Sequence, residues 1–161
     1  MLLLATTGVR NQELRLLELG DIRWRAGEVL IRRTKARRER VVPLLKEAGS
    51  ALAEYVLHAR PKVQAPQVFL SHTPPPRPLS CSSVVAAIVK RRLAQFGLRP
   101  ARAGAHLLRH SLATHLVSQR RPIKEIADLL GHQSIDTTAI YVKVALPQLA
   151  SVALPFPGGE S

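Results

Sequence analysis

A chain of 161 residues with 46% apolar side chains is long enough for one domain with a core of its own, which excludes a disordered tether and a disulfide-stapled miniprotein. Lys and Arg number 24 against 11 Asp and Glu, giving +13 and a pI near 11.4; such an excess points to a polyanion, nucleic acid first, with a soluble basic surface or a ribosome-associated protein as the plain alternative. The single cysteine, Cys81, rules out an internal disulfide, and no apolar run nears the ~20 residues of a membrane span, so the cytoplasm is the expected compartment.

In chain order, Met1 to Thr7 reads as the last turns of a helix stopped at Gly8. The stretch is apolar but has no basic leader and is too short for a signal core. Asn11 is the expected N-cap of a second helix, with Leu14, Leu16, Leu17 and Leu19 as its buried stripe and Gly20 as its end. Arg10 stands just before that helix, and Glu13, three residues on, is placed to hold its guanidinium by a charge-assisted bond. Taken alone, the pair is an ordinary surface ion pair worth under about 1 kcal/mol.

From Asp21 to Leu44 the apolar period shortens: Ile22-Arg23-Trp24, Val29-Leu30-Ile31 and Val41-Val42-Pro43, with a turn signal at Ala26-Gly27. This predicts a small antiparallel sheet of about three strands ending in a basic hairpin. Arg32, Arg33, Lys35, Arg37, Arg38 and Arg40 lie on that tip, where they are candidates for contacts to a phosphate backbone or, more plainly, a solvated charged face. Lys46 to Arg60 has helical spacing closed by Pro61, and the proline-rich 64–80 stretch reads as an extended connector rather than a packed element. Ser80 or Ser82 would cap the next helix, carried by Val85, Ile88, Val89 and Leu93 to Gly97.

The most informative stretch is His106-Leu107-Leu108-Arg109-His110, then Leu129-Leu130-Gly131-His132, then Tyr141. On a helix His106 and Arg109 project from neighbouring positions on one side. Gly131 reads as a helix stop that sets His132 at the mouth of the next turn. Guanidinium, imidazole and phenol together suit a phosphodiester, with donors for its non-bridging oxygens and a hydroxyl able to attack phosphorus. Each histidine alone is more often an ordinary helix residue, and Tyr141 alone a core tyrosine. His106 and His110 also have zinc-compatible spacing, but no acidic residue follows in the manner of His-Glu-x-x-His and Cys81 is isolated, so no metal is expected.

These motifs resemble those of the tyrosine recombinase (phage integrase) family. His-x-x-Arg, Leu-Gly-His and a tyrosine nine residues later are similar to its carboxy-terminal box. Ala5-Thr6-Thr7-Gly8-Val9-Arg10-Asn11-Gln12-Glu13-Leu14 resembles its first-arginine motif, and the segment from Arg33 to Leu44 its lysine hairpin. These boxes occur in the family's order over nearly the whole chain, a far more specific signal than a lone His-x-x-Arg. The resemblance implies an α+β fold of the DNA breaking-rejoining type, a mostly helical catalytic core with a small antiparallel three-stranded sheet. It assigns residues 1–155 to the catalytic domain, without the family's amino-terminal core-binding domain, and 156–161 to a tail. Family members commonly have glycine about where Arg120 stands, so a side chain is expected there in a left-handed cap, at about 1 kcal/mol.

The implied activity is site-specific cleavage and rejoining of double-stranded DNA through a 3'-phosphotyrosine. Tyr141 would be the nucleophile, Arg10 and Arg109 the clamp on the equatorial oxygens, His106 and His132 hydrogen-bond donors, Lys35 the general acid, and Glu13 a support for Arg10. Lys35 is preferred to Arg37 or Arg38 because a guanidinium hardly gives up a proton. No cofactor, metal, membrane or small-molecule substrate is implied, and strand exchange implies a homotetramer on DNA. Two other readings stay open: a truncated, catalytically inactive DNA-binding remnant, and a structural RNA-binding protein.

Overall fold

The computed structural model describes residues 1–32, 39–100 and 103–132 of the chain. The expectations for Lys35, for Arg33, Arg37 and Arg38 and for Tyr141 lie outside these residues.

Helix α1 (Leu2–Thr7) ends at Gly8, whose φ of 61° is the left-handed conformation expected of a glycine stop. Helix α2 (Asn11–Leu16) begins one residue earlier than anticipated in capping terms: Arg10 is the N-cap, with an extended backbone, and Asn11 is already helical. The helix is also shorter. It stops at Leu16, which is exposed, while Leu14 and Leu17 are buried and a 3-10 turn, Leu19–Asp21, follows. The four-leucine stripe thus splits between a helix and a turn, because a continuous helix through Gly20 would carry the chain away from the sheet it must enter at Ile22.

Strands β1 (Ile22–Arg23), β2 (Glu28–Ile31) and β3 (Arg40–Pro43) form an antiparallel sheet in sequential order. The register pairs Ile22 with Val29, Val29 with Val42, and Ile31 with Arg40. Ile22, Val29, Ile31 and Val42 are all buried while Val41 and Pro43 are exposed, the period-two alternation of a sheet with one covered face. Arg40 stands two residues from Val42 and therefore shares the covered side.

Helix α3 (Lys46–Glu54) passes into a wider turn at Tyr55–Ala59 that closes with Arg60 N–H donating to the Tyr55 carbonyl at 2.7 Å, just before Pro61. The proline-rich stretch forms no helix and no ladder strand, as expected, but it is packed rather than loose. Val68 and Leu70 are buried, Val68 N–H donates to the Leu17 carbonyl at 2.8 Å, and Arg60 ties the Ala65, Gln67 and Val68 carbonyls together. Helix α4 (Ser82–Ala94) is capped by the Cys81 sulfur, not by a serine hydroxyl; Val85 and Val89 face the core, whereas Ile88 is exposed.

Helices α5 (Ala105–Ser118) and α6 (Ile123–Leu130) complete the fold, α5 packing against α1, α4 and α6. Ala113, Val117, Ile126 and Leu130 form a small core of their own between the last two helices. Between them the chain turns through Arg120, a side-chain-bearing residue at φ 58°. Arg120 N–H bonds the Val117 carbonyl and Arg121 N–H the Leu116 carbonyl, so the helix end has the usual Schellman bonding without its usual glycine. The mixed architecture, helices around a small three-stranded antiparallel sheet, is the one expected. No helix among the described residues is long and apolar enough to cross a membrane.

Candidate functional site

The site is built on the C-terminal end of α6. A helix leaves its last four carbonyls without intrahelical partners and carries partial negative charge there. Gly131, at φ 64°, turns the chain so that His132 N–H bonds the Ala127 carbonyl at 2.9 Å and Gly131 N–H the Asp128 carbonyl at 3.1 Å. The next carbonyls are taken by arginines. Arg40 Nε donates to Leu129 O at 3.1 Å; Arg10 Nη1 and Arg109 Nη2 both donate to Leu130 O, at 3.1 and 2.7 Å; and Arg10 Nη2 donates to Gly131 O at 3.0 Å. Three guanidinium groups, from α2's cap, from β3 and from α5, thus meet at one helix end. Its dipole offsets part of their mutual repulsion.

Arg109 is buried, and its Nη1 donates to the Gly8 carbonyl at 2.7 Å, so it links the end of α1 to the end of α6. A Cβ at Gly8 would lie 2.6 Å from Leu130 Cδ2 and 3.7 Å from Arg109 Cγ, so the link leaves no room for a side chain there.

Glu13, also buried, is the anion among these cations. Its Oε2 accepts from Arg10 N–H at 2.8 Å and from Arg40 Nη2 at 2.9 Å; its Oε1 accepts from Arg10 Nη1 at 3.1 Å and from Arg40 Nη1 at 3.0 Å. Burial pushes the carboxyl pKa up, but the Arg40 side-chain bonds, the Arg10 backbone bond and the two positive charges outweigh it and bring it down to about 2. The carboxylate is therefore ionised across the neutral range, held by Arg40 through both oxygens and by Arg10 through one side-chain and one backbone bond.

His106, one turn before Arg109 on α5, is exposed, and its Nε2 meets Nε2 of His110. The two rings pack edge to face with centroids 3.9 Å apart. Burial, then the neighbouring His106 and Arg109, lowers the His110 pKa. No cluster of three or more His, Cys, Asp or Glu side chains able to hold a metal occurs among the described residues.

Residues 1–146 match the sequence model of the phage integrase family. The chain belongs to that family. The protein named "Putative integrase/recombinase y4rF" of Sinorhizobium fredii is 65% identical over 162 residues, covering all of this chain and 38% of the relative. "Tyrosine recombinase XerC 2" of Ralstonia nicotianae is 34% identical over 151 residues, or 93% of this chain and 43% of the relative. Among solved structures, the XerA recombinase superposes with a TM-score of 0.80 at 27% identity over 96% of this chain and 55% of that one. The XerH site-specific recombinase, bound to its palindromic difH substrate after cleavage, gives a TM-score of 0.78 at 28% identity, over 93% and 42% of the two chains. The chain spans about two fifths of the length of the curated relatives it matches best among these.

Of the residues singled out in this integrase-family chain, Arg10, Glu13 and Arg109 come together, with the His132 backbone secured at the same helix end. His106 lies on the same helix as Arg109 but on its exposed side, paired with His110. Two of the basic residues assigned to the hairpin lie within the described part of the chain. Arg32 is engaged by Asp21 at 2.6 Å and Glu18 at 3.0 Å, beside the sheet. Arg40 is turned inward, its side chain only 11% exposed, with Glu13 and Leu129 O as its partners instead of solvent. Arg32 remains 53% exposed beside its two carboxylates, whereas Arg40 has a buried carboxylate as its partner. Sequence reasoning missed Arg40 as a member of this cluster and weighed His110 beside His106 only as a zinc pair. Both had a signal: Arg40 lies two residues before the apolar Val42 on a strand, and His110 lies four after His106 on a helix.

Proposed function

We propose that this chain is the catalytic domain, over residues 1–155, of a site-specific DNA recombinase or integrase that cuts and rejoins double-stranded DNA through a 3'-phosphotyrosine. The observation that supports it most is the shared acceptor of Arg10 and Arg109 at Leu130 O, which sets two guanidinium groups side by side where His132 also begins. Adjacent, preorganised cations are what a trigonal-bipyramidal phosphorane requires, since its charge is spread over the equatorial oxygens; removing one such donor typically costs about 10² to 10³ in rate.

In this mechanism the Tyr141 oxygen attacks phosphorus as its proton passes to a histidine of the site, and the bond from phosphorus to the 5' oxygen breaks. The phosphate remains an ester, now of tyrosine, so the freed 5' hydroxyl can reverse the step without ATP or a redox cofactor. Lys35 supplies the proton to the 5' oxygen, and His106 and His132 donate to the phosphate, His106 being the solvent-facing member of its pair. A free phenol has a pKa near 10, so the surrounding positive charge is needed to lower it. The partner is duplex DNA, consistent with the net charge of +13. Strand exchange calls for a tetramer of the protein on that DNA, and the working compartment we assign is the cytoplasm.

The test is a covalent adduct. Wild-type protein incubated with nicked duplex DNA is expected to yield a species that resists denaturation, while Tyr141→Phe binds the same DNA and yields none. Equal behaviour of the two proteins would remove the enzyme reading.

A further inference from the structure

We infer that Arg40 is a positioning residue of the phosphate site: one guanidinium on β3 that holds both the Arg10–Glu13 pair and the α6 end leading into His132. The inference rests on the reading of Arg10 and His132 given under Proposed function. A basic residue next to a basic hairpin would ordinarily be taken for a DNA contact, and the geometry argues otherwise. Nη1 and Nη2 of Arg40 grip the two oxygens of Glu13 at 3.0 and 2.9 Å, and Nε donates to Leu129 O at 3.1 Å. Each of its three nitrogens thus donates to the protein, and the side chain is 11% exposed.

The two guanidinium groups are coupled through one carboxylate oxygen. Glu13 Oε1 accepts from Arg40 Nη1 and from Arg10 Nη1, so the carboxylate rotamer that Arg40 selects is the one that orients Arg10. Arg10 in turn donates to Leu130 O and Gly131 O, beside the Leu129 carbonyl held by Arg40. The fit is tight as well. A Cβ on Gly131 would stand 2.7 Å from Arg40 Nη1, 2.8 Å from its Cζ and 3.0 Å from its Nε, so the chain passes directly over the guanidinium plane at the residue before His132. Lysine has neither the planar fork for Glu13 nor a third donor in the same plane for Leu129 O.

The role separates from a DNA contact by experiment, using the protein at its full natural length and nicked duplexes cut from the DNA flanking its own gene. Arg40→Met is expected to slow single-turnover adduct formation on the order of 10²-fold, the usual effect of displacing a catalytic group by about 1 Å. Arg40→Lys should fall between Met and wild type. Duplex affinity should change less than about twofold, with the salt slope intact. A loss of affinity that accounts for the loss of rate, with the slope reduced by about 1, would mark Arg40 as a phosphate contact and overturn the inference. An unchanged adduct rate would overturn it too. Independently of activity, a crystal structure of Arg40→Met, or of Arg40→Lys if the first does not fold, should show Arg10 released from Leu130 O or Gly131 O. Retention of both bonds refutes the positioning role. Absence of any adduct with wild-type protein would instead refute the proposed function, and the crystallographic result would still decide what Arg40 does to Arg10.

Discussion

Arg10 and Arg109, 99 positions apart in the sequence, donate to the same atom: the Leu130 carbonyl oxygen lies 3.1 Å from one guanidinium and 2.7 Å from the other. Two cations at such separation repel, and the arrangement holds because the acceptor is a helix C-terminus and because Glu13 and the Gly8 carbonyl take the remaining sides.

Replacing Arg109 with Met should therefore weaken the fold as well as any chemistry. The Gly8 carbonyl loses its charged donor in a buried setting, and hydrogen bonds to charged groups contribute about 1.5 to 3 kcal/mol. A fall in unfolding free energy of about 2 to 3 kcal/mol with an unchanged m-value is expected from urea titration. A change below ~0.5 kcal/mol would mean that the buried bonds contribute little.

Glu13 gives a pH signature. Its folded pKa of about 2 lies below the ordinary 4.5, so its stabilising contribution is complete above about pH 4.5 and is lost as pH falls toward 2. A shift of that size corresponds to roughly 3 kcal/mol. Glu13→Gln should be less stable than wild type near neutrality, and the gap should close between pH 4.5 and 2. Parallel curves through that window would show that the carboxylate charge is not what the two arginines require.

At Arg120, the left-handed backbone at φ 58° bears a side chain where glycine has no steric penalty. Arg120→Gly should stabilise the protein by about 1 kcal/mol, raising the melting temperature by roughly 2 to 4 °C for a chain of this size. A lower melting temperature would show that the arginine side chain offsets its own strain.

Gly131→Ala tests the opposite case. Here the left-handed φ of 64° coincides with a crowded neighbour, since the new Cβ would meet the pinned Arg40 guanidinium at under 3 Å. The expected cost is about 1 to 2 kcal/mol, with adduct formation reduced in step with Arg40→Met. An alanine variant as stable and as active as wild type would show that Arg40 yields easily.

The elements were legible wherever local rules decide them. Gly8 and Gly131 end helices because left-handed turns favour glycine, and Ile22, Val29 and Val42 alternate because one side of a sheet is covered. What local pattern missed was decided at a distance. Leu16 and Ile88 fit helical stripes yet are exposed, because the helices meet neighbours over narrower faces than the count of apolar residues suggests. Val68 and Leu70 are buried within a proline-rich stretch because Leu17 and Glu18 pair with its backbone. At the site, the Arg10–Glu13 pair was readable from its spacing of three. The covered side of Arg40 was readable from its place two residues before Val42, but its acceptors, 27 and 89 positions away, lie in no local pattern.

The same long separations set an order of events in the cell. Arg10 finds its carbonyl partners 120 and 121 residues downstream. At the ~5 to 20 residues per second of protein synthesis, roughly 6 to 24 seconds pass between the making of that arginine and the making of the atoms that orient it. A nascent chain interrupted before α6 has Glu13 to hold Arg10 and Arg40 but none of the carbonyls that complete their bonding, so the three guanidinium groups reach their final arrangement only when the last helix of the described fold is made.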